Sequence, residues 1–127
     1  MDNSADILKD EDGQRPIPVV WRAKIAEIVG AISQGDYHLL TVQSGLKTIA
    51  DEKAKSIATS ISAYGAHVLP LPEEAWRTSA CQWMREYWDV LIDLYTVEEG
   101  ASDLALMLRA YESGDSYIFE VQSVHVP

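Results

Sequence analysis

The chain is poor in the residues that staple or metallate small proteins: among 127 residues there is one cysteine, Cys81, and there are three histidines, His38, His67 and His125. One cysteine excludes an internal disulfide, and no histidine has a second ligand beside it at metal-binding spacing, so no metal site is expected. Positive charge is also scarce. Ten Lys and Arg stand against twenty Asp and Glu, a net charge of -10, which works against binding a phosphate backbone; no nucleic-acid partner is expected. No apolar stretch approaches the roughly 18 to 20 residues that span a bilayer, so no membrane role is expected either. The opening MDNSADILKDEDGQ has neither the basic region nor the apolar run of a secretory signal. Together with the lone cysteine, this makes a reducing cytoplasm the expected setting. G-x-S-x-G, P-loop and dinucleotide fingerprints are missing too, which gives no reason to expect an enzyme or a cofactor.

What is present fits one domain with a single core. Residues 1–15 are polar, with Asp10, Glu11 and Asp12 in a row, and read as a flexible acidic tail; residues 16–127 read as the domain. After Pro16 and Pro18, the residues Trp21, Ile25, Ile28, Val29 and Ile32 recur at helical spacing until Gly35. A second helix is predicted from Ile49 to Tyr64, with the apolar stripe Ala50, Ala54, Ile57, Ala58, Ile61 and Tyr64, and Gly65 as its stop. Between the helices LLTV is a candidate short strand, and Ala66 to Leu69 reads as extended. From Ser79 the pattern changes to strands: TSACQWM, then Tyr87 to Val97, Ser102 to Glu112 and Ser116 to Val126. Helices first and strands afterwards predict an α+β fold, two N-terminal helices packed on one face of an antiparallel meander of about four strands.

The acids are concentrated in this second half, where residues 73–127 carry eleven acids and three bases. Gly100 suits a three-residue hairpin loop and Gly114 with Asp115 a two-residue loop. Those loops pair Val97 with Ala101, Asp93 with Ala105, Asp89 with Arg109, Arg109 with Glu120, and Met107 with Gln122. Trp88, Val90, Ile92, Leu94, Leu104, Leu106, Leu108, Phe119 and Val121 then form a core face. The opposite face takes Asp89, Leu91, Asp93, Tyr95, Asp103, Ala105, Met107, Arg109, Tyr111, Ile118, Glu120 and Gln122. Arg109 falls in one cross-strand row between Asp89 and Glu120.

Catalysis by this face is not expected. Asp89 and Asp93 are four residues apart along one strand, about 13 Å, beyond the roughly 5 to 9.5 Å of paired glycosidase carboxylates. Arg109 would hold Asp89 and Glu120 ionised, the opposite of what a general acid needs. Cys81 reads as a small buried hydrophobe, although it or a histidine lining a pocket stays open. His125 falls on the core face by alternation, and Trp76 and Trp83 read as packing residues or partner anchors.

LPEEAW, CQWM and WDVLIDLYTVEEGASDL resemble a group of short acidic bacterial proteins of uncharacterised function, over residues 16–127. Small acidic domains of this kind, with an antiparallel sheet and no catalytic motif, also resemble immunity proteins, which neutralise toxin domains by binding them. The resemblance implies a non-enzymatic module with a basic protein partner, such as the C-terminal domain of a toxin. The surface expected to meet it comprises Asp89, Asp93, Tyr95, Glu98, Glu99, Asp103, Arg109, Tyr111 and Glu120. Two other classes stay open: a small-ligand domain or small enzyme with a pocket between helices and sheet, and a self-associating scaffold or regulatory subunit using an edge strand.

Overall fold

Pro18 holds an extended backbone at φ -56° and ψ 138°, and directly after it helix α1 runs over Val19–Ser33. The computed structural model describes Ile7 and residues 9–127. The predicted stripe is buried, with Trp21, Ile25, Ile28, Val29 and Ile32 facing inward. Helix α2 spans Asp51–Tyr64, two residues shorter at its start than predicted. Asp51 and Glu52 occupy its first turn, where the helix dipole favours acids, and Gly65 ends it at φ 79°.

LLTV is a turn instead of a strand, because the Asp36 carboxylate captures the Leu40 and Thr41 amides at 3.0 and 2.9 Å and the Thr41 hydroxyl at 2.8 Å. A polar side chain thus supplies the acceptors that a neighbouring strand would have offered.

The sheet is an antiparallel meander of five strands in the order β1 (Arg15–Pro16), β2 (Ala80–Trp83), β3 (Trp88–Thr96), β4 (Gly100–Ser113) and β5 (Ser116–His125). The fold is α+β as predicted, with the two-residue β1 added at the edge. A short 3-10 turn at Glu73–Arg77 leads into β2 and buries Trp76. All nine residues assigned to the core face are buried. Trp21 packs edge-to-face on Trp88, Tyr117 and Phe119 with ring centres 5.3 to 5.7 Å apart, a geometry that aromatic quadrupoles favour.

Two bulges alter the expected pairing. Asp89 faces Arg109 and Asp93 faces Ala105, but Tyr95 then faces Ala101 and Thr96 faces Gly100. Ser102, Asp103 and Leu104 therefore stand opposite Leu94 alone, and the hairpin tip slips relative to the predicted Val97–Ala101 pair. In β5, Glu120 faces Arg109 as predicted, yet Met107 faces Ser123, which leaves Gln122 as an extra residue. The extra residue reverses the alternation beyond it: Val124 turns into the core and His125, predicted to face inward, is exposed.

Of the expected tail, residues 1–6 and 8 lie outside the described residues. Lys9 to Gln14 run beside the sheet, where Glu11 contacts Arg85 and Lys9 contacts Glu112. Among the described residues no helix is long and apolar enough to cross a membrane.

Candidate functional site

Both helices cover the same face of the sheet, so among the described residues the opposite face is left without a second layer. Its rows follow from the pairing. Gln82, Asp89, Arg109 and Glu120 make one; Ala80, Leu91, Met107 and Ser123 make the next. Asp93, Ala105 and His125 follow. An apolar centre of Leu91 and Met107 is thus bordered by carboxylates on both sides.

Arg109 lies between Asp89 and Glu120, but it is held mainly by aromatic neighbours. Its guanidinium sits 4.3 Å from the centre of the Tyr87 ring, and the nearby Tyr111 hydroxyl helps keep it protonated. The nearest approach to Asp89, Nε to Oδ1, is 3.8 Å, too long for a hydrogen bond. The arginine is positioned more than it is neutralised.

Burial pushes the Glu120 carboxyl up, yet hydrogen bonds from Tyr111 at 3.0 Å and Gln122 at 2.9 Å, together with the charges of Lys47 and Lys53, outweigh it and draw it down. A general acid needs the reverse shift. Asp93 differs from both. Its backbone N–H donates to the Ser79 hydroxyl at 3.1 Å, while its half-buried carboxylate has no hydrogen bond or ion pair among the described residues. Tyr95 is half-buried on the same strand, two residues on.

The remaining three residues of the expected surface lie at the β3–β4 hairpin, and their bonds run toward α2 and the segment after it. Glu98 takes the His67 backbone N–H at 2.9 Å and stands 2.6 Å from its ring Nδ1; these bonds lower its carboxyl to about 2. Glu99 accepts the Tyr64 hydroxyl hydrogen. Asp103 is exposed in the bulge, and its backbone N–H donates to the Tyr64 oxygen at 3.2 Å. The hairpin tip therefore serves as a clip between sheet and helix layer, and it stands apart from the rows around Arg109.

Two contributors were not assigned to this face from the sequence. Tyr87 continues the strand alternation and stands across from Tyr111, with ring centres 5.7 Å apart, so extending the register by two residues would have found it. Lys47, whose ammonium lies 3.9 Å from the centre of the Tyr111 ring, comes from an irregular loop and left no signal.

Cys81 is buried on the core face; desolvation raises its thiol to about 11, and its sulfur lies 3.6 Å from the Pro16 carbonyl oxygen. His38 pairs with Asp51 at 2.9 Å beside a groove of about 430 Å³ between the end of α1 and α2. A smaller groove of about 270 Å³ runs between α1 and the start of β5, past Val20, Lys24 and Tyr117. Among the described residues no group of three or more His, Cys, Asp and Glu could hold a metal.

Residues 29–127 match the model of a family described as a domain of unknown function, DUF7668, and the chain belongs to that family. The match takes in α2 and β2 to β5, and with them every residue of the open face. No curated protein and no solved structure matches the chain.

Proposed function

We propose that this chain is a non-enzymatic binding module that receives a basic protein partner on its open sheet face, and that it acts as an immunity protein, neutralising a toxin domain by binding it. The observation that carries the reading is the asymmetry of the two layers. One face of the sheet is closed by helices; the other presents Asp89, Asp93 and Glu120 around Leu91 and Met107, with Arg109 as the one Lys or Arg in β2 to β5. An apolar centre with a charged rim suits protein recognition, and a one-sign field speeds encounter with a partner of opposite sign. Tyr95 and Tyr111 add contact area. Glu98 and Glu99, already bonded within the fold, contribute to the field and less to the contact.

Purification of the tagged protein from its native host at low and high salt, with mass spectrometry of what is retained, supplies the partner. A toxin domain retained in equal proportion and released by salt is the expected result. Asp93→Lys, which disturbs no side-chain bond, should then weaken binding at least tenfold, roughly 1.4 kcal/mol, while Asp115→Lys in the β4–β5 turn should not. Equal losses in the two variants would mean that net charge alone matters and that the open face is the wrong surface.

A further inference from the structure

We propose that residues 9–14 form a salt-released strap, clipped over one end of the sheet by surface ion pairs and covering Trp83. Lys9 Nζ reaches Glu112 Oε1 at 2.8 Å and lies 5.0 Å from the centre of the Trp83 ring. Two residues on, the Glu11 carboxylate accepts from Arg85 Nε at 2.6 Å, and the Glu11 carbonyl accepts from Gln82 Nε2 at 3.0 Å. Asp10 binds Arg15 and takes the Asp12 amide at 2.9 Å, folding the base of the segment into a turn. Ile7 supplies the apolar contact with the core.

The clips are of a kind that detaches. The side chains of Lys9, Glu112, Glu11 and Arg85 are between 46% and 82% exposed. Ion pairs so placed contribute little and weaken as salt shortens the screening length to about 3 Å at 1 M. The sheet beneath is held by buried side chains and does not share this dependence. The strap therefore opens locally, without unfolding of the domain. What it covers is specific: β1 pairs with Ala80 and Cys81, so among the described residues the outer edge of β2 at Gln82 and Trp83 is bordered by the strap instead of a strand. Trp83 rests on Trp88 with ring centres 4.5 Å apart. Lifting the strap makes this end of the sheet accessible. The device stands independently of the acidic-face reading.

Acrylamide quenching of tryptophan fluorescence reports on Trp83, because Trp21, Trp76 and Trp88 are 1%, 9% and 1% exposed. In the intact chain, raising salt from about 0.05 M to about 1 M should increase the quenching constant about twofold and speed amide exchange of residues 9–14 more than tenfold, with exchange in β3 and β4 unchanged. Lys9→Ala combined with Arg85→Ala should reproduce both effects at low salt. Exchange of residues 9–14 that is indifferent to salt overturns the proposal, and so does exchange that rises only together with that of β3 and β4. If the double variant fails to fold, the salt series on the parent chain decides.

Discussion

At Glu98 one carboxylate is bound twice by a single residue, through the His67 backbone N–H at 2.9 Å and the ring Nδ1 at 2.6 Å. Both contacts favour the charged form, and the carboxyl falls from an ordinary 4.5 to about 2. A carboxyl depressed by folding adds stability above its unfolded pKa and loses it as pH falls toward the folded one. Glu98→Gln should therefore unfold at a lower temperature than the parent at pH 7, and the gap should close as pH falls from about 4.5 to about 2. A gap independent of pH, measured by thermal melts across that window, would show that ionisation of the Glu98 carboxyl is not what stabilises the fold. The same residue marks a limit on reading sites from sequence. The row Asp89, Arg109, Glu120 was legible because strand alternation and two short loops bring the three together. The capture of Glu98 was not, because His67 lies thirty-one residues earlier in an irregular segment whose position depends on tertiary packing.

The strands show how far alternation carries and where it stops. Nine core-face residues could be read from the period of two, since a one-residue slip would have placed every one of them in water. The bulges were not legible, because an inserted residue needs no distinctive side chain: Gln122 resembles any polar strand position, yet it turns Val124 inward and His125 outward. The bulge in β4 has a chemical stabiliser that can be tested. Ser102 donates its hydroxyl to the Leu94 carbonyl at 2.7 Å and accepts the Leu104 amide at 3.2 Å, serving backbone groups where the regular ladder is interrupted. Ser102→Ala should cost about 1 to 2 kcal/mol in urea unfolding, because both groups are left in a partly buried position. An unchanged denaturant slope would assign the loss to the native state. A cost near zero would mean that water satisfies both groups and that the serine does not hold the bulge.

For the whole molecule, the consequence of a two-layer design is that one sheet face and two sheet edges need an explanation, and the edges have one. At the outer edge of β5 the Phe119 amide donates to the Gly45 carbonyl and the Lys47 amide donates to the Phe119 carbonyl, each at 2.8 Å. One step on, Lys53 Nζ donates to the Val121 carbonyl at 2.8 Å. The other edge ends in Arg15–Pro16, where proline offers no amide hydrogen. Edges closed in this way leave little to template a second sheet, and the net charge of -10 opposes close approach of copies at neutral pH. The protein should sediment as a monomer at pH 7.5. Lys47→Pro removes the amide that closes the Phe119 carbonyl and should produce association that grows with concentration, whereas Lys47→Ala, which keeps that amide, should remain monomeric. A stable dimer in the parent chain would bring back the self-associating scaffold and would place copies of the chain in competition with any basic partner. Monomers in all three proteins would show that closure at Phe119 is not what keeps the edge from pairing, leaving charge repulsion as the controlling term. Repeating the series near the sequence pI of about 4.5, where that repulsion vanishes, separates the two contributions directly.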